Sequence, residues 1–375
     1  MVPRALKKNL LSRLNDRKAI IVLGPRQCGK TTLILDLFNE INQPVRIWNG
    51  DDFQVRSLLK DVSFSSLKHE ISEISFLFID EAQRIDNIGL AIKIMVDQFK
   101  DLKVIASGSS AFELANRLSE PMTGRKWEFF LLPLSFKEMA DYHGLMTEKG
   151  LLHQRLIFGY YPEVVTHPAD QIKILNQLIN SYLYKDILIW ERLLKPEKLE
   201  RLVQALAFQI GQEVSYHELG QLTGLDNQTV ERYIDILEKA FIVFRISSLS
   251  RNLRNELKKS RKIYFYDLGI RNAIINAFNP IELRNDTGAL WENFLISERI
   301  KFNYYNDLYG SKYFWRTTTQ QEIDYIEEKD GKISAYEFKW KPNENLKFPK
   351  AFLNAYPDAD VQIIHQENYT GFIGF

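Results

Sequence analysis

Gly24, Pro25, Arg26, Gln27, Cys28, Gly29, Lys30, Thr31 and Thr32 constrain this chain more than any other stretch. They match the pattern G-x-x-x-x-G-K-[ST], and the neighbouring residues give the match its context. The apolar, β-branched run AIIVL at residues 19–23 reads as a buried strand, and the apolar-periodic LILDLF after Thr32 reads as a helix. A strand, loop and helix in this order hold several negative oxygens in a small volume, using backbone N–H groups and the positive end of the helix. Gly24 and Gly29 leave room for the chain to wrap phosphates, Lys30 reaches the β and γ oxygens, and the Thr31 hydroxyl is placed for Mg²⁺. Thr32 helps to hold the α-phosphate, and Cys28 reads as a small residue filling a loop position.

About fifty residues further on, the strand SFLFI at residues 75–79 runs straight into Asp80, Glu81, Ala82 and Gln83. At such a strand end the first acid, Asp80, orients Mg²⁺, and the second, Glu81, polarises the attacking water. A further strand ends in Ser107, Gly108, Ser109 and Ser110. If it lies beside the loop strand it brings hydroxyls to the γ-phosphate, and Ser109 is the sensor candidate. Arg125, at the edge of the alternating strand 126–132, is a candidate arginine finger acting in its own chain or a neighbour's. A surface salt bridge is the alternative. Strands at 19–23, 45–49, 75–80, 102–107 and 126–132, separated by helical stretches, predict an α/β fold: a parallel three-layer α/β/α sandwich over residues 1–135 with ligands at the carboxyl ends of the strands.

At 375 residues the chain exceeds one hydrophobic core, so further domains are expected. Its net charge of +1 excludes a global field that would draw it to nucleic acid or an anionic membrane. The lone cysteine excludes an internal disulfide framework and fits a cytoplasmic protein, and no apolar run approaches a membrane span. Residues 136–195 read as helices broken by Gly144, Gly150, Gly159 and Pro168, forming a helical lid or plain connecting structure. Residues 196–280 have a helix-turn-helix layout followed by two strands, as in a winged helix. The helix in the recognition position carries Asp226, Glu231, Asp235 and Glu238 against Arg232 and Lys239, a poor match to a phosphate-lined groove. Residues 251–262 instead hold Arg251, Arg254, Lys258, Lys259, Arg261 and Lys262 against Glu256. A basic wing of this kind contacts DNA phosphates without reading bases; a protein-contacting or structural role is the alternative.

Residues 281–375 place Glu292 on a helix, Asp324 on one strand, and Glu337 and Lys339 on the next strand after a turn at Asp330 and Gly331. Alternation puts Glu337 and Lys339 on one face. Clustered oxygen ligands suit Mg²⁺, and a nearby lysine orients a nucleophilic water. Charged strand faces in solvent are the alternative.

The strings G-P-R-x-x-G-K-T-T, F-I-D-E-A-Q and S-G-S-S, with T-G-R ahead of L-x-P-L-S-F-x-E, resemble the AAA-like ATPase domain of prokaryotic proteins that carry a C-terminal DUF4143 region. That family is similar to the archaeal-type ATPases of the STAND and AAA groupings. The stretches FGYYPEVV at 158–165 and YKDI at 184–187 resemble it too, so the resemblance spans essentially the whole chain. It implies a P-loop NTPase fold, and ATP as the nucleotide. Glu292, Asp324, Glu337 and Lys339 resemble the PD-(D/E)xK nuclease core in a smaller α+β domain, here without the proline that names the motif; an inactive nuclease-like domain is the alternative. The expectation is an Mg²⁺-dependent ATPase whose cycle moves the winged helix and nuclease-like domain, on DNA, in a homo-oligomer or with a protein partner. A nucleotide-gated scaffold without appreciable turnover and an ATP-regulated DNA nuclease are the competing readings.

Overall fold

The computed structural model describes residues 1–375 apart from 42, 61, 110–121, 185–195, 251–259, 318 and 343–346. The described chain divides into two compact units: Met1–Leu134 with Lys239–Phe241, and Ser135–Glu238 with Ile242–Phe375.

In the first unit a five-stranded parallel sheet runs in the order β2-β3-β4-β1-β5. Its strands are β1 (Ala19–Leu23), β2 (Val45–Asn49), β3 (Phe76–Asp80), β4 (Lys103–Gly108) and β5 (Lys126–Phe130). The three central strands are buried along their whole length, which is why they read as continuous apolar runs rather than alternating ones. The edge strands β2 and β5 are only partly covered. Helix α1 (Leu6–Leu11) precedes β1, and the parallel connections run through α2 (Lys30–Glu40), α3 (Phe53–Lys60), α4 (Phe64–Ile71) and α5 (Ile88–Gln98). Phe38 of α2 meets Phe76 and Phe78 of β3 edge-on, at 6.0 and 6.2 Å between ring centroids. This packing fixes the helix that follows the glycine-rich loop against the strand that carries the acids.

The second unit begins at α6 (Phe136–His143), started by a capping box in which Ser135 and Glu138 satisfy each other's amides. Short helices α7 (Leu145–Gly150), α8 (Leu152–Phe158), α9 (Pro162–Thr166) and α10 (Gln171–Leu178) follow. They pack around a buried polar knot: Glu148 takes two hydrogen bonds from Arg155, at 2.8 and 3.0 Å, and one from the Tyr160 hydroxyl at 2.8 Å. Next come α11 (Pro196–Phe208), β6 (Glu213–Val214), α12 (Tyr216–Thr223), α13 (Asn227–Lys239), β7 (Val243–Ser248), β8 (Arg261–Phe265) and α14 (Leu268–Ile274). The chain then runs through α15 (Thr287–Tyr305), β9 (Ser311–Arg316), β10 (Glu322–Lys329), β11 (Lys332–Phe338), α16 (Lys350–Ala355) and β12 (Asp360–Ile364).

The strands expected in a wing and those expected in a separate C-terminal domain form a single seven-stranded sheet, ordered β12-β11-β10-β9-β7-β8-β6. The join is a short parallel pairing of β7 with β9, Ser247 to Tyr313 and Ser248 to Phe314. The free edge of β7 is thereby covered, as an otherwise open strand edge requires.

Candidate functional site

The loop between β1 and α2 is shaped by glycine where no other residue fits. A Cβ on Gly24 would lie 2.1 Å from the Leu131 carbonyl oxygen, and Gly29 adopts φ +94°, in the left-handed region. Gly29 caps α2 without any side-chain acceptor, so the first-turn amides and the positive helix end face an anion directly. Lys30 is 6% exposed and donates to the carbonyls of Gly24 at 2.9 Å and Pro25 at 2.8 Å. Its ammonium thus lies over the loop's own backbone. Thr31 and Thr32 are exposed, Gln27 is exposed with φ 57°, and Cys28 is buried with Sγ 3.3 Å from the Leu131 carbonyl. Arg4 braces the loop from below, donating to the carbonyls of Cys28 and Leu132, each at 2.6 Å.

β4 lies between β1 and β3, pairing Val22 with Ser107 and Ile79 with Ala106. The strand order therefore brings the ends of all three strands together. Thr31 Oγ1 donates to Asp80 Oδ2 at 2.8 Å, and the Ser107 hydroxyl donates to Asp80 Oδ1. Glu81 has φ 48°, in the left-handed region that non-glycine residues adopt rarely. The close approach of β2 accompanies it: a Cβ on Gly50 would lie 2.3 Å from the Glu81 carbonyl oxygen. Gln83 Nε2 donates both to Glu81 Oε2 at 2.5 Å and to Ser109 Oγ at 3.0 Å. Lys30, Thr31, Asp80, Glu81 and Ser109 thus come to one edge of the sheet, and these donors and acceptors fit a nucleoside triphosphate with Mg²⁺. Sequence reasoning set Ser107 beside the γ-phosphate rather than against Asp80, and gave no role to Gln83 or Arg4. The first two stand inside the strand-end strings already singled out, but nothing in the sequence marks Arg4.

Arg125 lies at the other edge. Its carbonyl accepts from Ala19, the first residue of β1, whereas the loop leaves from Leu23, four steps and roughly 13 Å further along the strand. Its guanidinium donates to Asp97 at 2.7 Å. The expectation of a finger acting within its own chain is corrected accordingly: β5 runs parallel to β1, so its first residues mark the amino edge.

The acids of the C-terminal region do converge. Lys262 Nζ, on β8, donates to Glu292 Oε1 at 3.0 Å and pairs with Glu322, and the Tyr264 hydroxyl donates to the same Glu292 oxygen at 2.5 Å. Asp324 Oδ2 accepts from the Phe338 amide at 2.8 Å, and Lys339 donates to Glu337 at 3.2 Å. Burial raises Glu337 well above the ordinary carboxylate range, and the neighbouring Asp324 carboxylate raises it further. Burial also raises Glu292, with Asp324 adding to it and Lys262 opposing. Among the described residues no group of three or more His, Cys, Asp or Glu side chains is arranged to hold a metal ion. A divalent cation does not fit the cluster as built, because the Lys262 ammonium already stands against its carboxylates.

Lys262 corrects one residue of the expected basic, DNA-facing wing. It is 1% exposed and paired with Glu292 and Glu322, whereas Arg261 stands at the surface, paired with Glu231 at 3.2 Å. Arg251 and the other cations as far as Lys259 lie outside the described residues.

A parallel sheet with a glycine-rich loop at the end of one strand, and paired acids two strands away, is the architecture of a P-loop nucleotide-binding domain. The AAA domain family matches residues 16–140, and two domains of unknown function match the rest, DUF8612 at 149–280 and DUF4143 at 287–370. These matches are consistent with an AAA-like P-loop ATPase that carries a C-terminal DUF4143 region. An uncharacterized protein of Mycobacterium tuberculosis is 25% identical over 332 residues, covering 87% of this chain and 71% of its own length. An uncharacterized protein of Haemophilus influenzae is 23% identical over 346 residues, covering 87% and 83%. The Walker-type ATPase PABY2304 of Pyrococcus abyssi shares the fold, with a TM-score of 0.52 and 14% identity over 73% of this chain and 96% of that one.

Proposed function

We propose that the chain binds ATP with Mg²⁺ at the β1–α2 loop and hydrolyses it, using the nucleotide state to control its second unit. The observation that carries this reading is the convergence of Thr31, Asp80 and Ser107 at adjacent strand ends, beside Lys30. In this reading Lys30 leaves its loop carbonyls for the β and γ oxygens, and the amides of Gly29 to Thr32 hold the phosphate chain. Thr31 and Asp80 would hold Mg²⁺, which would supply positive charge to the phosphate oxygens. Glu81 accepts a proton from the attacking water, and Ser109, linked to Glu81 through Gln83, senses the γ-phosphate.

The helix-strand-helix-helix-strand-strand order of 196–265 supports a winged helix, and the α-β-β-β-α-β order of 287–364 supports a nuclease-like core. DNA contact through the basic segment from Arg251 to Lys262 is the further part of this reading, carried by Arg261 and by the cations that lie outside the described residues. A lone buried cysteine agrees with the cytoplasm. Among the described residues no helix is long and apolar enough to cross a membrane.

A specific observation favours a second reading, a nucleotide-gated scaffold with negligible turnover. The Gln83 amide occupies Glu81 at 2.5 Å, which restrains the residue that would act as base. Phosphate release from ATP, measured with and without Mg²⁺ and with duplex or single-stranded DNA, separates the two. Mg²⁺-dependent release supports the ATPase, and ATP bound without release supports the scaffold.

A further inference from the structure

The acidic cluster of the second unit resembles a metal-dependent core through Glu292, Asp324, Glu337 and Lys339. The structure adds a fifth participant. Lys262 enters from β8 with 1% of its surface exposed, donates to Glu292 at 3.0 Å and pairs with Glu322. Tyr264 lies two residues along the same strand and therefore on the same face, and it donates to the same Glu292 oxygen. Asp324 and Glu337 have donors of their own in the Phe338 amide and the Lys339 ammonium. A buried ammonium persists only where carboxylates compensate it, and buried carboxylates need a cation in return.

We propose that the Lys262 ε-ammonium is the resident cation of this cluster, supplying from within the chain the charge that a divalent metal supplies in a nuclease core. The domain consequently takes up no divalent ion there. An ammonium differs from a metal in kind: it offers three donors and no acceptor, and has no coordination position for a water or a phosphodiester. The cluster then serves as an internal tie. It joins α15 and β10 to β8, a strand on the far side of the β7–β9 join, so that charge pairing and sheet pairing fix the same elements together.

The test is Mn²⁺ binding to the full-length protein without nucleotide, followed by electron paramagnetic resonance, for wild type, Asp324→Asn, Lys262→Met and the double variant. Any Mn²⁺ held elsewhere is common to all four and cancels in the comparison. Wild type and Asp324→Asn are expected to bind the same number of ions. Lys262→Met is expected to gain one Mn²⁺ per chain, and the double variant to lose it again. A Mn²⁺ present in wild type and absent from Asp324→Asn overturns the proposal. So does a Lys262→Met protein with unchanged circular dichroism that gains no ion. Should Lys262→Met fail to fold, the wild-type and Asp324→Asn pair still decides.

Discussion

The Thr31 hydroxyl donates to Asp80 across 2.8 Å, joining the first turn of the helix after the loop to the end of a strand two positions away in the sheet. With both holding one Mg²⁺, replacing Asp80 by Asn keeps an acceptor for the Thr31 hydroxyl but removes the side chain's negative charge from the ion. Asp80→Asn is expected to retain ATP binding while phosphate release falls by about 10²-fold or more, as when a preorganised transition-state contact is lost. Full-rate release from this variant, measured at saturating Mg²⁺, would place the metal elsewhere.

Lys30 supplies a charge that its loop carbonyls only partly compensate. Truncation to Ala removes charge-assisted contacts worth about 1.5–3 kcal/mol, so ATP affinity is expected to weaken by roughly 10–100-fold. Titration with a fluorescent ATP analogue reads this directly, and an unchanged Kd would sink the loop assignment.

Arg125 sits at the amino edge of β5 against Asp97, so within one chain it has no path to the phosphates. Arg125→Ala is expected to change the rate of phosphate release by less than about twofold, since an exposed ion pair contributes little. Release should be followed across a protein dilution series. A loss that appears only at high concentration would mean that a second copy of the chain uses this arginine.

The phosphate site was legible because its chemistry is local: glycines, a lysine and a threonine fall within nine residues, Gly24 to Thr32, and the acids close an apolar strand. The five strands were legible too, since buried parallel strands leave continuous apolar runs. Placing Arg125 required strand direction and order, which composition does not carry. Lys262 was misread for a related reason. Counted with its basic neighbours it looks like a solvated cation, whereas its alternation with Tyr264 on β8 turns it inward. The β7–β9 join involves only two residue pairs, far apart in sequence, and no local pattern announces it.

Arg155 is 4% exposed, with Glu148 wholly buried beside it. Removing the guanidinium leaves the buried carboxylate with only the Tyr160 hydroxyl and His143 as partners, so Arg155→Met is expected to cost about 3–5 kcal/mol. Combining it with Glu148→Gln should recover much of that loss. Urea unfolding of both single variants and the double variant measures this, and a double-variant cost equal to the sum of the two single costs would show that the pair is not coupled.

Burial pushes the Asp286 carboxyl up, but Arg284 and Arg271 more than offset it and hold it at about 2. A carboxyl lowered in this way stabilises the fold at all pH values above its ordinary range, and the contribution disappears as pH falls through about 2. Wild type should therefore exceed Asp286→Asn by about 1–2 kcal/mol at pH 6, with the gap narrowing as pH is taken below about 4. A gap that stayed constant down to pH 3 would argue that the carboxylate charge is not its source.

Because β7 covers one edge of β9, the DUF4143 region has no natural place at which to be cut free. A fragment starting near residue 281 would keep β9 but lose its neighbour, exposing a row of amides and carbonyls that pair with any strand they meet. Such a fragment is set to aggregate. The two domains of unknown function in this chain would then be inherited, exchanged and lost together, as halves of one piece of architecture.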